Sequence, residues 1–208
     1  MFNRFDRWAK NGRWERVLEG LQTDRDNEWH SIDSTINRAH QHAAGGKGGA
    51  AEQGLGRSRG GLSTKVHLVV DALGLPITFE ITEGQRHDSR PANALVGRAQ
   101  SSCVLADKAY DSDSFRTALN VRGCLPVNPS NGSRAGKLAY DDPWKSHPSG
   151  CSAAAPTGDK ELYKARSEIE CTFNLLKQAR RFATSYEKTL RNYAAVVAIG
   201  CALLWLRI

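Results

Sequence analysis

The hydrophobic pattern at the two ends of the chain predicts helices. Apolar and aromatic residues from Phe2 to Leu21 recur at spacings of three to four, so residues 1–22 are expected to be helical and to pack against the body of the protein. The uncharged apolar stretch from Tyr193 to Leu206 predicts a buried C-terminal helix over about 190–207. This stretch is too short to cross a bilayer, so no membrane partner is expected.

The central part of the chain predicts short strands. Five apolar or β-branched runs are bounded by turn residues: 28–33, 62–70, 76–82, 102–107 and 125–127. The second and third runs are joined by residues 71–74, which predicts a hairpin. The first run ends in Asp33 and the fourth ends in Asp107, so two strands are expected to finish in an acidic residue.

Helices and irregular segments are predicted between the strands. One helix is expected over 88–99, and another is expected to end at Arg122, with N-cap candidates in residues 111–113. The glycine-rich residues 43–61 predict a mobile loop. Residues 129–158 are rich in Pro, Gly, Ser and Ala and predict a linker or poorly ordered insertion.

A late helix, expected to start at Thr157 or Asp159, has an unusual polar face. Four polar residues occupy helical offsets of 0, 3, 7 and 14: Tyr163, Arg166, Glu170 and Lys177. At about 100° per residue they fall within an arc of roughly 60°. Apolar positions on a different side are expected to anchor the helix: Ala165, Ile169, Phe173 and Leu176. The polar face suits a metal site that faces phosphate, although a pair such as Arg166 with Glu170 also occurs on ordinary solvated helices.

Three carboxylates from distant segments are candidates for metal binding: Asp33, Asp107 and Glu170. Acids at strand ends of an α/β sheet lie where ligands bind. Mg²⁺ prefers hard oxygen ligands, and two such ions activate an attacking hydroxyl and stabilise the leaving oxygen in phosphoryl transfer.

Each assignment has an alternative. Asp33, which is followed by Ser and Thr, is also typical of a turn residue. The second acid competes with Asp111 and Asp113, which are more typical of helix caps. Glu168 competes with Glu170, but it points about 160° away around the helix.

Composition limits the class of protein. The chain has 208 residues with 40% apolar content, which fits one domain with a substantial core. The formal net charge of +7 favours a polyanionic partner. Five scattered cysteines without a C-x-x-C pair indicate reduced thiols in a cytosolic protein: Cys103, Cys124, Cys151, Cys171 and Cys201.

Histidines offer a weaker alternative, a zinc hydrolase. The candidate ligands would be His40, His42, His67 and His87. No cysteine or acidic partner completes a compact ligand set around them.

With these motifs in view, the chain resembles the DDE transposases of bacterial insertion sequences. The Tyr-(2)-Arg-(3)-Glu-(6)-Lys spacing matches the motif around the third acid of that family, and residues 31–35 and 105–112 resemble the motifs of the first and second acids. Residues 60–67 and 84–88 resemble connecting segments in a subgroup with small, two-frame genes. The match covers residues 1 to about 128 and 159–208.

The resemblance implies an α/β fold of the ribonuclease H type, a mixed sheet flanked by helices, with a catalytic domain over 29–208 and a short helical N-terminal segment over 1–28. It implies that Asp33, Asp107 and Glu170 hold two Mg²⁺ or Mn²⁺ ions. An activated water would cut DNA at the ends of the element, and the freed 3′-hydroxyl would then attack target DNA.

The resemblance also implies partners. Tyr163, Arg166 and Lys177 would position phosphates of double-stranded DNA, because guanidinium and ammonium groups donate to phosphate. Independently of the resemblance, Arg57 and Arg59 of the glycine-rich segment are candidates for contact with a nucleic-acid backbone, although the segment also fits a plain flexible connection. A homodimer in a synaptic complex, in the nucleoid of a bacterial cytoplasm, is expected.

Three departures from the family pattern suggest an alternative. Ala109 stands where the family usually has glycine, and residues 134–158 are unlike the family. The chain begins where family members are past a helical region, so residues 1–28 are interpreted as a remnant of it, and a fusion or complex with an upstream-frame product is expected. The alternative is a catalytically inactive DNA-binding remnant that regulates a full-length transposase.

Overall fold

The structure is a computed structural model that describes residues 2–97, 100–129 and 159–207. Residues 130–158, most of the predicted linker or insertion, lie outside the described residues. The helices have these bounds: α1 Phe2–Lys10, α2 Arg13–Leu21, α3 Gly49–Glu52, α4 Ser89–Val96, α5 Asp113–Asn120, α6 Asp159–Lys164, α7 Ser167–Lys177, α8 Arg180–Ala183 and α9 Leu190–Trp205. The strands have these bounds: β1 Trp29–Ala39, β2 Gly56–Ser58, β3 Gly61–Val70, β4 Pro76–Glu83, β5 Cys103–Ala106, β6 Leu125–Val127 and β7 Thr184–Ser185.

One mixed sheet organises the described residues. β1 pairs antiparallel with β3 and parallel with β5, and β5 pairs parallel with β6. Both β2 and β4 pair antiparallel with β3, and β7 pairs parallel with the end of β1. The strand order β2-β3-β1-β5-β6 confirms the predicted mixed sheet.

Alternate residues of β3 divide the hydrophobic core into two clusters. Leu68 packs on one side of the sheet with Ile169 of α7 and Val197 of α9. Val69 packs on the other side with residues of α4 and α5, including Phe115. Because helices cover both faces, β3 is buried along most of its length, including its polar residues.

The two N-terminal helices pack against the C-terminal helix, as their apolar spacing predicts. α1 and α2 both contact α9, and Leu18 is buried in the same cluster as Val197. The turn between α1 and α2 passes through Gly12, whose φ of 61° lies in the left-handed region that favours glycine. Within the described residues, no helix is long and apolar enough to cross a membrane.

Local turn and cap chemistry agrees with the sequence. The β3–β4 hairpin turns at Asp71, whose Oδ1 accepts hydrogen bonds from the backbone N–H groups of Leu73 and Leu75 at 3.0 and 2.8 Å. Ser112 caps α5, because its hydroxyl accepts the N–H of Phe115 at 3.3 Å. These bonds satisfy backbone groups that the turn and the helix end leave without a partner.

The first strand is longer than predicted, so the expectation that it ends at Asp33 was wrong. β1 continues to Ala39, because its pairing with β3 extends from Ser31 to Arg38. The ladder hydrogen bonds to β3 keep the mixed polar residues after Asp33 extended. Asp33 therefore lies in the middle of β1.

The glycine-rich segment contains regular elements, whereas the sequence predicted one mobile loop. A 3₁₀ turn at Gln41–Gly45 is followed by α3 and β2. Residues 56–58 join the sheet because they pair with residues 61–63 at the start of β3.

The predicted late helix is broken, so Tyr163 and Glu170 do not share one continuous helix. α6 ends at Lys164 and α7 begins at Ser167. At the break, the N–H groups of Ala165 and Arg166 donate to carbonyls three residues earlier, at 3.0 and 3.1 Å. The two parts pack on different clusters: α6 lies against β5 and β6, and α7 lies against β3 and α9.

Two buried histidines are expected to make the protein less stable in mild acid. Burial lowers the pKa of His30 and of His67 from 6.5 to about 4. Below pH 6.5 the unfolded chain therefore binds protons that the folded chain does not, and the free energy of unfolding falls as the pH decreases. We expect a loss of roughly 1 kcal/mol per histidine at a pH about one unit below 6.5.

Urea denaturation at pH 7.5 and at pH 5.5 measures this effect. His30→Gln should remove about half of the difference between the two midpoints, because one of the two titrating groups is lost. Equal midpoints for the wild-type chain at both pH values would show that the buried imidazoles do not resist protonation.

Candidate active site

The first two candidate acids lie side by side on neighbouring parallel strands. Ile32 of β1 is paired with Ala106 of β5, so Asp33 and Asp107 are the next residues along each strand. Adjacent strands are about 4.8 Å apart. β5 ends at Ala106, and Asp107 therefore follows the strand end, as predicted, while β1 continues past Asp33.

Each of these two carboxylates is oriented by a backbone N–H group. Asp33 Oδ1 accepts the N–H of Ser34 at 2.7 Å. Asp107 Oδ1 accepts the N–H of Lys108 at 2.6 Å and caps the short 3₁₀ turn at Lys108–Tyr110. This turn accommodates Ala109, which packs against the cluster formed by α4 and α5. Both of these hydrogen bonds involve Oδ1, so the backbone bonds leave Oδ2 of each carboxylate for a side chain or an ion.

Arg166 joins the first acid to the third. Its Nη1 donates to Asp33 Oδ2 at 3.2 Å, and its Nη2 donates to Glu170 Oε1 at 2.6 Å. The guanidinium carbon lies 5.7 Å from the ring centroid of Tyr163, within cation–π range. The structure thus brings Tyr163, Arg166 and Glu170 together with Asp33 despite the break between α6 and α7.

The electrostatics of Asp33 show that the acids influence one another. Burial raises the pKa of Asp33 above its ordinary value. The Ser34 N–H and the Arg166 guanidinium lower this pKa, whereas the charges of Asp107 and Glu170 raise it. Asp33 is therefore close enough to both other acids to sense their charge.

The fourth residue of the polar face is separate from this group. Lys177 is exposed in the last turn of α7, about 10 Å along the helix from Glu170 at 1.5 Å per residue. In the described part of the chain, no hydrogen bond or ion pair holds its ammonium group.

The donor chemistry fits Mg²⁺ or Mn²⁺, although the side chains are not closed around one point. Carboxylate oxygens are the hard ligands that these ions prefer. Among residues 2–97, 100–129 and 159–207, however, no three Asp, Glu, His or Cys side chains are close enough together to hold a metal ion. The Arg166 guanidinium lies between Asp33 and Glu170 and supplies the positive charge there.

The competing acids have other roles. Asp111 is paired with Arg116 at 2.9 Å, and its side chain is fully buried. Asp113 lies in the first turn of α5. Glu168 is exposed, and its backbone carbonyl accepts the Thr172 hydroxyl at 3.0 Å.

The histidines do not assemble a zinc site among the described residues. His67 is fully buried, and its Nε2 lies 2.9 Å from the Thr82 hydroxyl. His87 contacts the Ser89 hydroxyl at 2.9 Å, while His40 and His42 contact each other with ring centroids 4.5 Å apart. The zinc hydrolase alternative therefore lacks its ligand set in this part of the chain.

Arg57 and Arg59 lie away from the acids, beside a basic residue that the sequence pattern did not indicate. Both are exposed, and they line an open depression together with Arg38 and Ile36 of β1. Arg38 is five residues beyond Asp33, or about 17 Å along the strand at 3.3 Å per residue. Extending the predicted first strand to residue 39 would have placed Ile36 and Arg38 on one face by their alternation.

The chain matches a transposase family in sequence. A family model described as a transposase DDE domain matches residues 30–205. The inferred transposase of insertion sequence element IS6501 from Brucella ovis is 38% identical over 151 residues, which cover 70% of this chain and 100% of that protein. A Sinorhizobium fredii protein called y4sN is 51% identical over 44 residues, or 21% of this chain and 35% of that one.

The fold also resembles that of a solved transposase. Superposition on the piggyBac transposase, in its synaptic complex with hairpin DNA, gives a TM-score of 0.53 at 12% identity. The match covers 91% of this chain and 48% of the piggyBac chain, so this chain spans about half of that protein. The chain belongs to the family of DDE transposases, and its mixed sheet is the ribonuclease H-like fold of those enzymes.

Proposed function

We propose that this chain carries a metal-dependent centre that cleaves DNA at insertion-sequence ends and transfers the freed strand to target DNA. In this proposal, Asp33, Asp107 and Glu170 hold two Mg²⁺ or Mn²⁺ ions. The observation that supports it best is the bridge from Asp33 through Arg166 to Glu170, beside Asp107 on the adjacent strand. Asp33 thus has one candidate ligand beside it on the neighbouring strand and another linked to it through Arg166.

The residues around the acids have complementary roles in this reaction. When bound, divalent ions activate the attacking water or hydroxyl and neutralise charge on the phosphoryl oxygens. The Ser34 and Lys108 N–H groups orient the two aspartates, so each keeps one carboxylate oxygen directed away from the backbone. Arg166 is positioned to exchange its carboxylate partners for a phosphate of DNA, because its planar donors suit both. Tyr163 supports the guanidinium plane through its ring.

A nicking assay on supercoiled DNA tests the proposal. The wild-type chain is expected to nick DNA with Mg²⁺ or Mn²⁺ and to lose this activity in EDTA while still binding DNA. Asp107→Asn should behave in Mg²⁺ as the wild type does in EDTA, because the amide is a poor ligand. Salt-sensitive binding without nicking by the wild type would instead support the alternative, a DNA-binding remnant that regulates a full-length transposase.

We also propose that Arg57, Arg59 and Lys177 contact DNA phosphates. All three are exposed, and the two arginines line a depression that also contains Arg38. Each neutralised phosphate contributes about 0.9 to the slope of log affinity against log salt concentration for duplex DNA.

Replacing Arg57 and Arg59 with alanine is expected to weaken binding to any duplex sequence and to reduce this salt slope by about one per arginine. Fluorescence anisotropy in EDTA, across a salt series, measures both quantities without interference from cleavage. Arg207→Ala removes one exposed arginine outside the depression and should leave the slope unchanged. A slope unaffected by the double replacement would remove this depression from the DNA-binding surface.

We further propose that the chain forms a homodimer on paired DNA ends. We also propose that it associates with an upstream-frame product in the bacterial nucleoid. The net charge of +7 supports association with polyanionic DNA. Light scattering with and without duplexes of the end sequence tests the homodimer. The protein mass should change from that of a monomer to that of a dimer only when DNA is present.

A further inference from the structure

The carboxylate of Asp88 is the centre of a polar network on the face of the sheet opposite Arg166. Its Oδ1 accepts the Ser34 hydroxyl at 2.8 Å and the Lys65 ammonium at 2.9 Å. The ammonium group also donates to the backbone carbonyl of Arg86 at 2.7 Å. The side chains of Lys65 and Asp88 are only 9% and 23% exposed, so the ion pair is largely withdrawn from water.

Further buried polar groups surround this pair. His67 Nδ1 lies 3.8 Å from the same oxygen of Asp88, and the His67 ring is fully buried. Tyr110 is also buried, and after burial itself the charges of Asp88 and Asp33 raise the pKa of its hydroxyl. These groups belong to β3 and to the turn after Asp107, so the network connects the strands on both sides of β1.

Stability alone is a weak reason for such a network. Removing an ion pair from water costs about as much as, or more than, the attraction between the charges returns, and apolar replacements are often neutral or stabilising. Buried pairs are better explained where they hold one arrangement among several.

Ser34 connects the Lys65–Asp88 pair to Asp33, so the pair can hold the arrangement of that acid. Its hydroxyl is held by Asp88 on one face of β1, while its N–H orients the Asp33 carboxylate. Asp33 itself contacts Arg166 on the opposite face. A shift or rotation of the backbone at Ser34 would therefore turn the Asp33 carboxylate away from Asp107.

We propose that Asp88 and Lys65 are positioning residues for the metal ligand Asp33 and act through the hydroxyl and N–H of Ser34. This inference rests on the proposed function, in which Asp33 binds a divalent ion. It assigns a role to the connecting segments that contain Lys65 and Asp88. Partners that orient a metal ligand typically contribute about 10- to 100-fold to metal affinity.

Binding of Mn²⁺ to the purified full chain without DNA, followed by electron paramagnetic resonance of the free ion, tests the inference. Ser34→Ala is expected to weaken Mn²⁺ binding about tenfold. Its DNA affinity in EDTA should stay at the wild-type value, and the chain should remain folded at the assay temperature although the lost hydrogen bond lowers its melting temperature. Ser34→Thr should restore Mn²⁺ affinity, because threonine keeps the hydroxyl and suits a strand. Ser101→Ala, which removes a hydroxyl bonded to the Cys103 carbonyl at 2.8 Å, is the matched control and should bind Mn²⁺ normally.

A second variant addresses the ion pair itself. Single replacement of Asp88 would leave Lys65 buried without its partner and risks unfolding the chain. The double variant Lys65→Met with Asp88→Leu removes both charges and the acceptor of the Ser34 hydroxyl, and it is expected to fold and to show the same loss of Mn²⁺ affinity as Ser34→Ala. Wild-type Mn²⁺ affinity in folded Ser34→Ala and in the double variant would overturn the inference.

Asp33→Asn, measured in parallel, separates this inference from the proposed function. Unchanged Mn²⁺ affinity in Asp33→Asn would contradict the proposed function, because Asp33 would not be a ligand. A large loss in Asp33→Asn together with none in Ser34→Ala would contradict only the positioning role of Asp88 and Lys65.

Discussion

Replacing Glu170 with glutamine is expected to reduce Mg²⁺-dependent DNA nicking by at least about a thousandfold, which corresponds to roughly 4 kcal/mol of transition-state stabilisation. Glutamine keeps the length of the side chain and still accepts a hydrogen bond from Arg166, so α7 should be undisturbed. The negative charge is lost, however, and with it the affinity of the proposed third ligand for a divalent ion. DNA affinity in EDTA should be unchanged or slightly higher, because one negative charge is removed from the proposed DNA-binding face.

Glu168→Gln is the matched control for this measurement. Glu168 lies on the same helix, is exposed, and carries the same charge. Its replacement should leave nicking close to the wild-type rate. Equal losses in the two variants would indicate a general effect on α7, and a loss confined to Glu168→Gln would move the third acid to that residue.

Replacing Arg166 with alanine is expected to change metal affinity and catalysis in opposite directions. The guanidinium is 3.2 Å from Asp33 and 2.6 Å from Glu170, so its removal leaves both carboxylates free for a metal ion. Mn²⁺ affinity without DNA should therefore rise. Nicking should fall by about a hundredfold, or roughly 2.7 kcal/mol, because the proposed donor to phosphate is gone.

Arg166→Lys distinguishes charge from geometry. Lysine keeps the positive charge but loses the fork of donors that contacts two carboxylates at once. We expect nicking by this variant to lie between those of the wild type and Arg166→Ala, with Mn²⁺ affinity nearer the wild type. If Mn²⁺ affinity fell in Arg166→Ala, the guanidinium would be orienting the carboxylates instead of competing with the ion.

Features set by neighbouring residues were predictable from the sequence. Ser112 was among the expected N-cap candidates of α5, and the turn at Asp71 joins two β-branched runs, as expected. Asp107 was recognised as the acid at a strand end because it directly follows an apolar run. In each case the stabilising bond connects residues a few positions apart, so the local pattern contains the information.

Features set by distant neighbours were mispredicted. The polar residues after Asp33 gave no sign that β1 continues, because the continuation depends on hydrogen bonds to β3. The helical spacing of polar and apolar residues continues through Ala165 and Arg166, so the sequence predicted one helix without a break. The break follows from packing, since Leu162 belongs to the cluster at β5 and β6 and Ile169 belongs to the cluster at β3 and α9.

By itself, the sequence determined the family, the order of the three acidic motifs, and the chemistry of the side chains that suit metal and phosphate. The tertiary structure alone decided that Arg166, which pairs with Glu170 one helical turn away, also reaches Asp33, and that Asp88 holds Ser34 from the opposite face. These contacts join residues that are 133 and 54 positions apart in the chain. Such pairs meet only once strand order and register are set, and those depend on the burial of whole elements rather than on any local pattern.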